Sequence, residues 1–156
     1  RPGRRAGSTP VIAELGHLAL VLALCCALAQ ALLPLWGARS GQPALAGATP
    51  MAARAQFALI VLAYAALTWA FIDHDFSVAL VARHSNSLLP LPYRIAAVWG
   101  NHEGSILLWT LILAGWGLAM SVRRDTSAPV LAVLGALGAG LAGLTARHMR
   151  RLSARA

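Results

Sequence analysis

The chain has 156 residues, of which 58% are apolar and only 12% are charged. A water-soluble domain of this length usually carries about a quarter charged residues, which argues against an ordinary globular enzyme. The formal net charge is +8, and all thirteen basic residues are arginine. Such a charge would suggest a nucleic-acid-binding protein. The arginines lie outside four long uncharged runs, however, so we predict no nucleic-acid partner.

Four segments contain no Asp, Glu, Lys or Arg, and each is long enough to cross a bilayer as a helix. They hold 19, 18, 19 and 21 residues, and about 20 apolar residues span the hydrocarbon core. The sequence therefore predicts an all-α, polytopic integral membrane protein with about four transmembrane helices and one long loop. The four runs are Leu18–Trp36, Ala55–Ile72, Gly104–Val122 and Thr126–Ala146.

The flanks of these runs set the predicted boundaries. We predict a membrane domain over 11–146, with helices over about 11–36, 51–72, 104–122 and 126–146, a non-spanning loop over 73–103, and basic tails over 1–10 and 147–156. The tail 1–10 lacks any periodicity and is expected to be disordered. Within the loop, alternation over 76–80 hints at an extended piece. Tyr93–Trp99 is expected to form a short helix in the membrane interface, because Tyr, Trp and Arg favour that depth.

Arginine counts leave the orientation open. With four spans, both tails and the 73–103 loop lie on one side, which holds nine arginines against four. The positive-inside rule then places the tails in the cytoplasm. Without the tails, the loop side holds two arginines and the opposite side four, and the same rule then places the loop in the periplasm. The arginines of the opposite side are Arg39, Arg54, Arg123 and Arg124.

The most informative polar residues lie where the long loop enters the third helix. Glu103 falls in the first helical turn, where the helix dipole favours a carboxylate. The adjacent His102 is able to ligate a metal or haem iron, or to accept a proton. A single His-Glu pair lacks the further ligands of a metal site, so we favour a role in capping the third helix. We predict no metal-binding and no catalytic residue.

Two further pairs each allow a functional and a structural interpretation. Glu14 and His17 lie three apart on the first helix and can meet on one face. Ionisable residues inside a membrane suggest function, but their place near the helix end favours structural pairing. Trp109 and Trp116 share a face of the third helix; they either line an apolar ligand surface or, as we favour, pack in the core. A stripe of small residues predicts close contact of the fourth helix with a neighbour; it consists of Gly135, Ala139 and Gly143.

Several motifs follow one another along the chain in a specific order. They are Val11–His17, Asp75–Val78, Asn86-Ser87, Leu89-Pro90, Tyr93-Arg94, Trp99–Ser105 and Leu107–Trp109. In order and spacing, over about 11–135, the chain resembles CcmF-type cytochrome c haem lyases. The run Trp-Gly-Asn-His-Glu-Gly-Ser, followed by Leu-Leu-Trp, is the most specific match.

The resemblance implies a protein of the bacterial inner membrane that works in cytochrome c biogenesis. Members of the family transport and bind haem and attach its vinyl groups to the Cys-x-x-Cys-His thiols of apocytochrome c. The implied partners are a haem chaperone, apocytochrome c and other cytochrome c maturation subunits, and the implied cofactor of the full-length family is haem. The loop 73–103 is expected to face the periplasm. A relative that serves nitrite reductase assembly is not separated from the cytochrome c branch.

The resemblance directs attention to the segment around the third helix. The candidate haem-binding residues are Trp99, His102, Glu103 and Trp109, and the remaining motif residues are Glu14, His17, Tyr93, Arg94, Gly100, Gly104 and Ser105. The family is several times longer, and its tryptophan-rich segment and later ligand histidines are absent here. We therefore expect no catalysis by this chain alone. The alternative is a structural membrane subunit that packs against partner helices without a cofactor.

Both ends of the chain depart from the family pattern. The family start Met-Ile-Pro-Glu is replaced by Val11–Glu14, and beyond Gly135 the sequence turns to Gly and Ala and then to a basic tail. We expect a truncated or frame-shifted gene product.

Overall fold

The computed structural model describes residues 9–72, 90–100, 102–123 and 128–153. These ranges contain helices and no strand, so the predicted all-α class is confirmed. The predicted extended piece over 76–80 lies outside the described residues. The helices are α1 (Thr9–Ser40), α2 (Pro43–Gly47), α3 (Thr49–Ile72), α4 (Leu91–Gly100), α5 (His102–Val122) and α6 (Ala128–Ser153).

Three stretches of the described chain are long and apolar enough to cross a membrane. They are Glu14–Ser40, Ala44–Ile72 and Gly104–Val122. They coincide with three of the four predicted spans. In α6 the apolar part with described side chains is Ala132–Arg147, which is shorter than a bilayer-spanning helix. The fourth span therefore stays a prediction.

The first helix ends four residues beyond the predicted Trp36. Pro34 lies inside α1 and does not end it, although proline often breaks a helix. The end is set by Gly41, which has a φ of +66°, and by the Gln42 amide, which donates to the Gly37 carbonyl at 3.0 Å. A left-handed glycine with this hydrogen bond is the Schellman ending of a helix. Gly41 was the sequence signal for it.

The last helix continues through most of the predicted basic tail. The prediction ended it at Ala146, where the uncharged run ends, whereas α6 continues to Ser153. Arginine is a good helix former, and cations near a helix C-terminus are stabilised by its dipole. Charge therefore ends the apolar stretch without ending the helix. At the other end of the chain, α1 begins at Thr9, inside the predicted tail 1–10.

The four long helices form an antiparallel bundle. α1 packs on α3 and α6, α5 packs on the same two helices, and α4 lies against α3 and α5. The start of α1 meets the end of α3, since a Cβ on Gly16 would lie 3.0 Å from the Cβ of Ala66. The start of α3 meets the end of α5, since Arg54 Nη2 donates to the Ser121 carbonyl at 3.1 Å.

Two ends of the bundle follow from this arrangement. The loop end contains α4, the first turns of α1 and α5, and the last turns of α3 and α6. The arginine end contains Arg39, Arg54 and Arg123, all exposed. Between the ends, buried positions on the helices alternate by three and four residues, as in left-handed helix packing. In α1 they include Leu20, Ala23, Ala27, Gln30, Pro34 and Gly37.

Alanine makes up most of the buried apolar positions of the bundle, although Phe71, Ile60 and Leu107 are buried too, and many large apolar residues point outward. In lipid, burying apolar area does not drive helices together, so they associate through small residues that let their backbones approach closely. The predicted stripe is right at Gly135, whose added Cβ would lie 2.9 Å from the Ala27 carbonyl oxygen. The prediction is wrong at Gly143, because no atom of a neighbouring helix lies within 4 Å of a Cβ added there. The buried positions of α6 with described side chains are Ala132, Gly135, Gly138, Ala142, Thr145 and Ala146.

Candidate functional site

The candidate site is the junction at the loop end where α4 gives way to α5. Only Asn101 separates the two helices. α4 turns Val98 into the buried cluster between helices, and this contact fixes the short helix. Because Val98 points inward, Tyr93 and Trp99 are left exposed on the other faces of α4.

The first turns of α5 expose one polar side chain while the residues that follow it pack against the bundle. His102 opens the helix and its side chain is exposed. Gly104 and Leu107 are buried, so they hold α5 against the bundle. Ser105 is half-buried. The arrangement presents an imidazole at the end of a fixed helix.

Trp109 and Trp116 lie outside the core, which corrects our preference for core packing. Trp109 is 63% exposed and Trp116 is 61% exposed. They share the outward face of α5 with Ile112. The physical reason is size, because the inner face of α5 is filled by residues such as Ala114 and Gly117. Trp109 is seven residues from His102, about 10 Å along the helix.

The structure brings some of the predicted site residues together and separates others. Trp99 and Gly100 end α4 and His102 begins α5, so these three residues lie at the junction. Nothing lies within 4 Å of a Cβ added to Gly100, so no close approach requires glycine there. The backbones of Arg94 and Glu103 belong to α4 and α5, and their side chains lie outside the described part.

Glu14 and His17 are at the loop end but on another helix. Both side chains are exposed near the start of α1. α1 packs on α3 and α6, whereas α4 packs on α3 and α5. The pair therefore lies across the bundle end from His102. The structure shows no ion pair between these two described side chains, contrary to the favoured structural pairing.

The junction fits haem as an open surface. Haem proteins hold the iron through an axial histidine and surround the macrocycle with apolar groups. His102 offers one imidazole, and Trp99 offers an exposed indole ring three residues away. Within the described residues, no group of three or more His, Cys, Asp or Glu is placed to hold a metal ion. The described residues of the junction thus present one imidazole and one indole ring, the types of group that contact haem in proteins.

Sequence reasoning missed two buried amides in the centre of the bundle. Gln30 is 1% exposed on α1, and Gln56 is 3% exposed on α3. A Cβ on Gly138 would lie 2.5 Å from Gln56 Nε2, so the α6 glycine makes room for this amide. Polar side chains facing the bundle interior link membrane helices. A glutamine inside an otherwise apolar run was the available signal.

Comparison with known proteins assigns the chain to a family. No family model matches it. It is 52% identical over 135 residues to the Pseudomonas aeruginosa cytochrome c-type biogenesis protein CcmF, covering 83% of this chain and 20% of the relative. A solved structure, the cytochrome c heme lyase CcmF, superposes with a TM-score of 0.80 at 33% identity, covering 85% of this chain and 23% of that one. The chain belongs to the CcmF family of cytochrome c biogenesis proteins.

The match lies in the N-terminal part of CcmF-type proteins. The chain spans about a fifth of the length of the curated relatives it matches. The Escherichia coli CcmF is 39% identical over 132 residues, covering 81% of this chain and 20% of the relative. The Escherichia coli probable cytochrome c-type biogenesis protein NrfE is 44% identical over 110 residues, and the match covers 69% of this chain and 20% of that relative. The predicted family is confirmed, and relatives named CcmF and NrfE both match.

Proposed function

We propose that this chain acts in cytochrome c biogenesis, as the N-terminal part of a CcmF-type haem lyase that handles haem at the loop end. The observation that carries this proposal is the α4–α5 junction, where Trp99 and His102 are both exposed on a fixed helical base. We assign no bond-forming step to these helices, because the junction presents one described imidazole, that of His102.

The junction residues have distinct roles in this proposal. Haem supplies an iron that accepts an imidazole nitrogen and a flat, apolar macrocycle. His102 offers the imidazole, and Trp99 offers an aromatic face for the macrocycle. Trp109, about two turns further along α5, extends the apolar surface toward the membrane interior. A haem chaperone and apocytochrome c would approach the same end, together with other cytochrome c maturation subunits.

Haem titration of the purified chain in detergent micelles tests the proposal. We expect a Soret band that shifts on binding and an apparent Kd that rises about tenfold, or ~1.4 kcal/mol, in His102→Ala. The reason is the loss of the axial imidazole. His17→Ala is the matched control, because His17 is also exposed at the loop end but lies on α1. Equal effects of the two substitutions would contradict a site at the junction.

A structural subunit that binds no cofactor is the second candidate. It is favoured by the outward faces, which present large apolar side chains such as Trp109 and Ile112 as surfaces for partner helices. This candidate predicts that haem binds the wild-type chain no more tightly than it binds the empty micelles. The same titration therefore separates the two functions.

The proposed location is the bacterial inner membrane, with the loop end in the periplasm. The support is membership of the CcmF family, together with the arginine count once the tails 1–10 and 147–156 are set aside, which leaves four arginines at the arginine end against two in the loop 73–103. Basic residues next to membrane spans are retained on the cytoplasmic side. This orientation places the α4–α5 junction where apocytochrome c is matured in the proposed function.

Cysteine labelling in intact cells tests this orientation. In a chain with Cys25 and Cys26 replaced by alanine, we introduce Pro90→Cys at the loop end or Ser40→Cys at the arginine end. Both positions are exposed. A membrane-impermeant maleimide that passes only the outer membrane is expected to label position 90 and to reach position 40 only after lysis. The reverse pattern would place the loop end in the cytoplasm.

A further inference from the structure

The groove between α5 and α6 at the arginine end is an apolar site outside the α4–α5 junction. It has a volume of about 330 Å³ and is lined by Trp116, Met120, Val130, Val133 and Leu134. All five side chains are apolar. On each helix the lining side chains fall within a stretch of five consecutive residues, which is about 6–8 Å long at 1.5 Å per residue. Because a transmembrane helix would need a seat along some 30 Å, the groove is matched to a thinner occupant, such as an acyl chain.

A positively charged residue follows the groove along the chain, just past the end of α5. Met120 lines the groove, and three residues later the Arg123 amide donates to the Met120 carbonyl at 3.2 Å. The Arg123 side chain is exposed just past the end of α5. Its neighbours in the sequence are Arg124 and Asp125, so the segment 123–125 carries a net positive charge.

A second arginine, Arg54, donates hydrogen bonds at the C-terminal end of α5 and so makes this end less repulsive to an anion. The carbonyl groups at a helix C-terminus repel negative charge. Arg54 removes part of this repulsion, because its Nη2 donates to the Ser121 carbonyl at 3.1 Å and its Nε to Ser121 Oγ at 3.4 Å. The Ser121 hydroxyl donates in turn to the Leu118 carbonyl at 2.7 Å. The Arg54 guanidinium thus lies at the last turn of α5, and Arg123 follows that turn directly in the chain.

We propose that the α5–α6 groove binds one anionic phospholipid, with an acyl chain between Trp116 and Val133 and the phosphate at Arg123. Basic residues beside clefts between membrane helices recognise anionic headgroups in this way. Trp116 lies seven residues before Arg123, about 10 Å deeper, at the level of the acyl chain. This site is at the opposite end of the bundle from the proposed haem surface and does not depend on that function.

Native mass spectrometry of the full chain, released from micelles with phosphatidylglycerol or phosphatidylcholine of identical acyl chains, tests the site. We expect one retained phosphatidylglycerol, bound roughly fivefold or more over phosphatidylcholine. Val133→Trp fills the groove and is expected to weaken phosphatidylglycerol binding about tenfold. The matched control is Leu137→Trp, one turn further on the same exposed face of α6. Val130→Trp, which fills the groove about one turn nearer the start of α6, replaces Val133→Trp if that chain does not fold.

The headgroup contact has its own matched pair. Arg123→Ala is expected to lower the preference for phosphatidylglycerol about fivefold, whereas Arg39→Ala, an exposed arginine on α1 at the same end, leaves it unchanged. Equal retention of both lipids by the wild-type chain overturns the proposal. So do equal losses in Val133→Trp and Leu137→Trp, or in Arg123→Ala and Arg39→Ala. A lipid-free dimer that Val133→Trp abolishes overturns it as well, because the groove would then belong to a second copy.

Discussion

Replacing Gly135 by leucine is expected to lower the stability of the bundle by about 3 kcal/mol or more. An added Cβ alone would lie 2.9 Å from the Ala27 carbonyl oxygen, 2.9 Å from the Gln30 Cβ and 3.0 Å from the Ala31 nitrogen. Two of these atoms belong to the backbone of α1, which cannot move aside as a side chain can. The leucine must therefore push α6 away from α1. Thermal unfolding in detergent, followed by circular dichroism, should show a Tm lower by about 6–12 °C.

Gly140→Leu is the matched control for this substitution. Gly140 lies on the same helix, is exposed, and has nothing within 4 Å of an added Cβ. Leucine is the better helix former at an exposed helical position by up to about 1 kcal/mol, so the Tm is expected to stay or rise slightly. A similar loss of stability in both variants would mean that α6 does not pack on α1 through Gly135.

Phe71→Ala is expected to cost about 3–5 kcal/mol of unfolding free energy, the usual range for loss of a buried phenylalanine ring. Phe71 is 0% exposed and is the largest fully buried side chain of the described bundle. It belongs to the same buried cluster as Val98 of α4 and Leu107 of α5. The cavity therefore opens beneath the α4–α5 junction. We expect a lower Tm together with weaker haem binding in the titration described above.

Trp69→Ala is the control, two residues earlier on α3. Trp69 is 55% exposed, so lipid or detergent chains replace most contacts of the lost ring. Its expected cost is about 1 kcal/mol or less, although tryptophan is the larger residue. A greater loss of stability in Trp69→Ala than in Phe71→Ala would show that the outward face of α3 is packed against protein.

Much of the architecture could be predicted from charge-free runs, and the errors have physical causes. The runs locate the spanning helices because lipid excludes charge. They do not locate helix ends, because an end is set by backbone geometry. α1 continues past Pro34 and ends at the left-handed Gly41, while α6 continues into the arginines that the apolar pattern excludes.

The candidate site was predictable in position but not in form. The order of the motifs singled out His102 and Trp99, and the structure shows both exposed where two consecutive helices adjoin. It separates Glu14 and His17 from them, because those residues lie on α1, whose neighbours are α3 and α6. Periodicity showed that Trp109 and Trp116 share a face. It did not show whether that face turns toward the bundle core or toward the lipid, because both surroundings are apolar and accommodate an aromatic ring.

The sequence by itself determined the membrane class, three spanning helices and the family, because each depends on local composition or on a linear motif. Only the tertiary structure decided which faces turn inward. In water, large apolar residues go to the centre. In lipid, close packing favours small ones there, so Gly135, Gly138 and Ala142 are buried while Trp109 and Trp116 face outward. That inversion depends on contacts between helices far apart in the chain, and no single run of residues records it.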